Sequence, residues 1–423
     1  MSTGSSDRST LEGVVQKLLP GGESLIQSNG ISLLAQHGIP GDYVRVRELP
    51  RRRGVRRGEI VEVISPAPQR INAACPVAGE CGGCALQFLN PDNHAREKSA
   101  WVEQSFRELI SSGTQWIPAE PQKSFAKRRR VQWQIGHDEN GSFPGFFAAA
   151  SHRLVRHENC MVLTTELQRL HQFLQQRNLQ GMDAIQATQL SDGMHVVLES
   201  NVEPDSALIH GIVVGIDIQW WWRSKGISRP LNRPVKRLHD ELPAGIHSIQ
   251  LEIGPDDFVQ GQFEGNRDLI RQIQIWSGQP GRIADLFCGA GNLSLPLATT
   301  SGAFVCGAEL SEASVRLATR NARQLGIRGS FSTANLFETF NMEPYIGADV
   351  LILDPPRRGA KRICSNIQHL LPKKIIMVSC DPAAGARDGA LLAAHGYQMK
   401  SLRAFDLFAY AGHVEAASLW EPA

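Results

Sequence analysis

The stretch DLFCGAGNLSLPLA, residues 285–298, joins an apolar run to a helical pattern through Gly289 and Gly291. Glycines there let the backbone turn tightly and approach a ligand closely. Ser294 stands where a dinucleotide fingerprint has its third glycine, which disfavours a bound pyrophosphate. Asp285 precedes the turn, placed to face an ammonium group. Glu309 ends the next apolar run, placed to accept hydrogen bonds from two ribose hydroxyls. Turn, upstream Asp and downstream Glu together fit S-adenosylmethionine better than NAD. Phe287 and Asn292, inside the turn, join them as cofactor-binding candidates. Asn335, Asp354 and Cys380 fall at the ends of further strand-like runs. Open α/β sheets bind their ligands at that rim.

A nucleophile and a base complete the set. In IIMVSCDP, Cys380 leaves an apolar strand in front of a helical pattern, and a helix N-terminus favours the thiolate. Cys288, Cys306 and Cys364 read instead as buried small hydrophobes or helix surface. Carbon 5 of uracil is a poor nucleophile until a thiolate adds to carbon 6, after which carbon 5 can take a methyl group. A base must then remove the carbon 5 proton. Glu415, in GHVEAASLWE, suits that work better than Glu421 near the chain end. The motif LILDPPRRG is similar to that of enzymes acting on exocyclic amines. Those enzymes place an aromatic residue after the prolines; here it is Arg357, which argues against amine methylation.

A separate cluster, CPVAGECGGC, holds Cys75, Cys81 and Cys84. In a reducing compartment such spacing points to metal before disulfides. Zinc and iron–sulfur clusters both accept four cysteines, and spacing alone does not separate them.

The elements that must position these residues fall into three regions. Residues 9–68 read as short strands broken by Gly and Pro, a small β-barrel rich in arginine. Residues 69–255 are mixed α+β. They include an amphipathic helix over 97–113, placed to pack on the catalytic part, and strands such as IVVGIDIQWWW. From 256 to 423 strands and helices alternate, which predicts a doubly wound, Rossmann-like α/β sheet ending in an antiparallel pair. Trp220, Trp221 and Trp222 suit either base stacking or sheet packing.

Net charge is only +2, yet Arg45, Arg47, Arg51, Arg52, Arg53, Arg56 and Arg57 crowd one run. Lys123 to Arg130, with Arg128, Arg129 and Arg130, forms another. Two such runs point to nucleic acid, since phosphate contacts draw on local arginine density, and an arginine-rich barrel of this size suits an RNA-binding module. The polar N-terminus and the absence of a long apolar run predict a cytoplasmic protein with no membrane span. No obligate protein partner is evident.

In order along the chain, PQRINAACPVAGECGGCALQF, DLFCGAGNLSLPLA, LDPPRRG, VSCDPAAGARD and GHVEA resemble the RNA 5-methyluridine methyltransferases. The likeness extends to 23S rRNA uridine methyltransferases that carry a TRAM domain and a 4Fe-4S cluster. It implies a class I S-adenosylmethionine-dependent methyltransferase domain, an OB-like TRAM barrel and a cluster-bearing central domain. By the same resemblance Cys160 is the fourth ligand beside Cys75, Cys81 and Cys84, Cys380 is the nucleophile and Glu415 the base. Phe258 and Gln260, in DFVQGQF, match a motif that meets cofactor and target base. Phe258, or an arginine of 128–130, is expected to hold a flipped uridine. The chain departs from the family pattern at Asp381, Gln262, Tyr410 and Ala411. The alternatives are uridine methylation in the tRNA T-loop and a non-catalytic iron–sulfur RNA-binding protein.

Overall fold

The computed structural model describes residues 10–122, 126–210, 213 and 215–423. Ser9 of the predicted barrel, Lys123 of the second basic run, and Ile212 and Val214 of the predicted strand IVVGIDIQWWW lie outside the described residues.

Strands β1 (Thr10–Leu18), β2 (Ser24–Ser28), β3 (Ile31–Ala35), β4 (Tyr43–Arg52) and β5 (Val55–Ser65) close into a barrel in the order β1-β2-β3-β5-β4. Period-two alternation turns Val15, Ile26, Leu33, Val44 and Val46 inward. Arg53 (φ 52°) and Gly54 (φ 79°) form the two-residue turn between β4 and β5, the left-handed pair that a type I′ hairpin requires. Much of the predicted basic run is neutralised locally: Arg45 pairs with Glu12 and Glu62, Arg47 with Glu59, and Arg57 with Glu23. Arg51, Arg52 and Arg53 stay exposed at the tip.

Helix α1 (His94–Phe106) and strand β6 (Gln115–Ile117) come next. The central sheet contains β7 (Arg130–Asp138), β8 (Gly141–Phe147), β9 (Leu154–Arg156), β10 (Ala184–Gln189), β11 (Met194–Glu199), β12 (Ile218–Ser224) and β13 (Ile227–Pro230), with α2 (Thr165–Gln175) packed against it. Leu167, Leu170 and Leu174 of α2 meet Trp133, Ile185 and Trp220 in one core. The tryptophan run is packing: Trp220 is buried, Trp221 Nε1 donates to His195 Nδ1 (3.0 Å), and Trp222 Nε1 donates to the Ser200 carbonyl (3.2 Å). Their strand begins at Ile218, later than predicted.

A hairpin of β14 (Leu238–Ala244) and β15 (His247–Ile253) leads into the last region. There α3 (Phe263–Ser277), β16 (Arg282–Leu286), α4 (Ser294–Ser301), β17 (Phe304–Glu309), α5 (Glu312–Gln324) and β18 (Gly329–Thr333) are followed by β19 (Val350–Leu353), α6 (Lys361–Cys364), β20 (Lys374–Ser379), α7 (Pro382–Ala394), β21 (Tyr397–Phe405) and β22 (Glu415–Pro422). The eight-stranded sheet runs β18-β17-β16-β19-β20-β22-β21-β6. Alternate residues feed two cores. Ala284, Leu351 and Met377 face α1, whereas Ile283, Ile352 and Ile376 face α3 and the β14–β15 hairpin. The expected antiparallel pair forms, but it is not the sheet edge: β6 adds parallel to β21, with Ser401 opposite Gln115. Three residues are too few for a periodic signal, so only the fold reveals this strand.

Candidate active site and cysteine cavity

Strands β16, β17, β19 and β20 present their carboxyl ends to one cavity of about 500 Å³. Asp285, Phe287, Gly289, Asn292, Glu309, Asp354, Gln260, Phe258, Cys380 and Glu415 line it, together with Arg357. Cys288 lines it too, a place that the reading of this residue as plain core had missed. Two expected members do not. Asn335 turns its Oδ1 to the Phe337 amide (3.2 Å), shaping the wall instead of touching the space. Gly291 (φ 96°) supports the turn from beneath, where a Cβ would stand 2.5 Å from Leu295. Phe287 also takes a left-handed φ of 73°, uncommon away from glycine. Glu421 faces Lys374 at 3.8 Å, away from the cavity.

The nucleophile and base candidates are cross-strand neighbours. Antiparallel β20 and β22 pair Ser379 with Ala416, which puts Cys380 just past the end of β20 and Glu415 at the start of β22, close enough for the Glu415 carboxylate to act on the Cys380 thiol.

Charge in the cavity is one-sided. Burial pushes Asp285 up to about 7; the Ser294 hydroxyl, which donates to its Oδ2, opposes that, and Asp354 and Glu309 add to it. Burial likewise lifts Asp354 to about 6. Glu415 is raised well above the usual carboxylate range by burial and then by Asp354, against the pull of Arg357. Its Oε2 has no hydrogen-bond partner, nor has Gln260 Oε1, although Gln260 Nε2 reaches Asp354 Oδ2 at 3.5 Å. Glu309 accepts from the backbone of Gly289 (3.3 Å), Leu310 (2.6 Å) and Ser311 (3.1 Å). Asn292 and Asn266 exchange two 2.9 Å bonds. Four carboxylates around one cavity favour a cationic occupant. Ser294, read from sequence only as a missing glycine, turns out to hold Asp285.

Cys380 is half-buried, and its thiol is pushed up to about 11 by burial, then by Glu415 and Asp354, with Arg357 opposing. Any help to the thiolate from the following helix is outweighed by burial. The Asp381 carboxylate accepts from the amides of Ala383 and Ala384, both at 3.0 Å, so the first turn of α7 is capped by its own residue.

The arginines of 128–130 separate. Arg129 is fully buried, paired with Asp240 (2.7 Å), bonded to the Gln260 carbonyl (2.8 Å) and stacked over Phe263 (4.3 Å), which removes it from the expected RNA contacts. Arg130 lies over the Phe258 ring at 5.3 Å, and Phe258, 63% exposed, stands at the cavity mouth. Arg128 faces a second cavity.

That second cavity is lined by Cys75, Cys81, Cys84 and Cys160, with Gln87, Arg128 and His157. Cys81 is fixed by its amide to the Val77 carbonyl (3.0 Å) and by a β-bridge to Ala148. Burial lifts Cys84 to about 12 and Cys160 to about 11, and other thiols across the cavity add to both shifts. Among the described residues, no group of three or more His, Cys, Asp or Glu is placed to hold a single metal ion.

Residues 263–374 match the methyltransferase small domain. The 23S rRNA (uracil(1939)-C(5))-methyltransferase RlmD of Marinomonas posidonica is 30% identical over 422 residues, covering 96% of this chain and 94% of that protein. Its namesake in Acinetobacter baumannii strain AYE is 30% identical over 423 residues, covering 93% and 89%. The tRNA (uracil-54, C5)-methyltransferase of Pyrococcus abyssi, solved with S-adenosyl-L-homocysteine, superposes with a TM-score of 0.74 at 22% identity over 97% of this chain and 100% of that one, a likeness of fold. With identity sustained along nearly the whole length of both relatives, the chain belongs to the 23S rRNA uracil-C5 methyltransferase family and is an RNA methyltransferase.

Proposed function

We propose that this chain methylates carbon 5 of a uridine in 23S rRNA, with S-adenosylmethionine as donor and Cys380 as covalent nucleophile. The observation that carries the reading is that Cys380 and Glu415, flanking the Ser379–Ala416 pair, line the same carboxylate-lined cavity. The cavity fits the donor: Asp285, Glu309 and Asp354 surround it, and unpartnered buried oxygens remain on Gln260 and Glu415. When bound, S-adenosylmethionine supplies an electrophilic methyl on a sulfonium centre and leaves as a neutral thioether.

Asp285 and Glu309 hold and orient; neither needs to move a proton. Cys380 as thiolate bonds to carbon 6 of the flipped base, sending the ring electrons towards carbon 5, which takes the methyl. Glu415 then accepts the carbon 5 proton. The C–H electron pair rebuilds the C5–C6 double bond, and the C6–S bond breaks to return the Cys380 thiolate. A carboxylate with raised proton affinity suits that step. Phe258 and Arg130 at the mouth would hold the base, and the exposed arginines at the tip of the TRAM-like barrel would contact phosphates.

For the second cavity the reading is a 4Fe-4S cluster on Cys75, Cys81, Cys84 and Cys160 that ties the 75–84 loop to the segment at Cys160. A cubane takes four thiolates around a volume, whereas zinc draws four ligands to about 2.3 Å from one point. Four cysteines line this one cavity, and the resemblance to cluster-bearing methyltransferases favours the former. Anaerobically purified protein should contain about four irons per chain with matching sulfide; stoichiometric zinc without sulfide contradicts this.

The test of the substrate is nuclease mapping of 5-methyluridine in rRNA and tRNA from cells with and without the protein. Loss of one 23S rRNA site is expected. Loss confined to the tRNA T-loop moves the activity to tRNA.

A further inference from the structure

Residues 406–414, which connect β21 to β22, are mostly buried and held from three sides. From α1, Lys98 Nζ donates to Asp406 Oδ1 (2.5 Å) and to the Phe408 carbonyl (2.6 Å). From the barrel, the Gly21 amide donates to the Gly412 carbonyl (2.8 Å). From the cysteine loop, the Leu86 amide donates to the Tyr410 carbonyl (2.8 Å). The two strands joined by this loop begin their pairing with Phe405 opposite Glu415. The loop therefore delivers the chain directly to the residue read above as the base.

Both side chains of the Lys98–Asp406 pair are almost completely buried, 0% and 1% exposed. Such a pair is poor value as stabilisation alone, because apolar residues of similar volume usually serve as well. What it does supply is geometry: one ammonium fixes a side chain and a carbonyl two residues apart, across the start of the loop.

We propose that Lys98 is a positioning residue for Glu415, fixing the Asp406–Phe408 turn and thereby where β22 begins and how the Glu415 carboxylate enters the cavity. This rests on the reading of Glu415 as base and Cys380 as nucleophile. Lys98 lies outside the set of residues lining the cavity, so its effect passes through the loop.

A misplaced base leaves carbon 6 addition and methyl transfer working and slows release. With full-length protein, 23S rRNA and methyl-labelled S-adenosylmethionine, Lys98→Met should transfer methyl close to the wild-type rate in a single turnover. Release should slow about 10²-fold, the cost typical of a 1 Å misplacement, so a methylated RNA–protein adduct accumulates on denaturing gels. Gly412→Ala disturbs the same loop from the barrel side, since a Cβ there lies 2.2 Å from the Gly21 carbonyl carbon. It should give the same adduct, and it decides the matter if Lys98→Met does not fold. Lys98→Met with Asp406→Asn removes the stranded carboxylate; it should regain stability without regaining release. Wild-type release by Gly412→Ala, or restored release in the double variant, overturns the proposal. Glu415→Gln serves as the reference. If it too releases freely, the base assignment falls and the proposal with it; if it traps RNA while Lys98→Met and Gly412→Ala do not, only the proposal falls.

Discussion

Cys380 follows Ser379 and Glu415 precedes Ala416, the pair that ends the β20–β22 ladder, and the Glu415 carboxylate raises the proton affinity of the Cys380 thiol. The antiparallel insertion of β22 between β20 and β21 is what brings them together. A wholly parallel sheet would carry its next strand start to the opposite end of the sheet, far from the strand end that bears the cysteine.

The proposed mechanism gives different steps to the two residues. Glu415→Gln should complete methyl transfer and stall afterwards, lowering turnover about 10²–10⁴-fold, the usual contribution of a general base. A labelled RNA–protein adduct on ordinary uridine RNA is the expected product. Loss of cofactor affinity without any adduct would show Glu415 to be a structural carboxylate.

The carboxylate-lined cavity makes cofactor binding sensitive to pH. Asp285 at about 7 and Asp354 at about 6 hold protons in the folded protein that the unfolded chain releases near pH 4. Folded pKa values above unfolded ones mean stability falls as pH rises through that window. A cation in the cavity offsets the loss. The thermal shift produced by S-adenosylmethionine should therefore be larger at about pH 8 than at about pH 5.5. An equal shift at both values contradicts the role given to these carboxylates.

Neighbouring arginines should behave oppositely. Arg129→Met strands the buried Asp240 carboxylate and should cost about 3–5 kcal/mol of stability in denaturant unfolding. Arg130→Met should leave stability nearly intact, weaken RNA binding and reduce the slope of log affinity against log salt by about 1. Equal effects of the two on RNA affinity would contradict the burial of Arg129.

Asp381 departs from the asparagine usual in the family, yet it caps α7 through two amides. Asn and Asp cap about equally well, so Asp381→Asn should be near neutral in stability, while Asp381→Ala should cost about 1 kcal/mol. Chemical denaturation of the two variants tests this.

The catalytic strands were legible because each is a short apolar run with a polar or reactive residue at its end, as in IIMVSCDP. Such runs carry both the burial signal and the rim. Arg129 was misread because composition reports a basic run without saying which guanidinium turns inward; its partner Asp240 lies on a distant hairpin. Lys98 and Asp406 are 308 residues apart and sit in unrelated local patterns, so only the packing of α1 on the sheet joins them. Strand β6 borrows its conformation from β21, leaving no period of its own to read.

Covalent catalysis by Cys380 is tested most directly with 23S rRNA transcribed with 5-fluorouridine, S-adenosylmethionine and the purified protein. Fluorine at carbon 5 does not leave as a proton does, so release is blocked after methyl transfer. A denaturation-resistant RNA–protein complex carrying one methyl, mapped by peptide mass spectrometry to Cys380 and absent from Cys380→Ala, is the predicted result. An equally abundant complex with Cys380→Ala, or undiminished methylation of ordinary RNA by that variant, would contradict it.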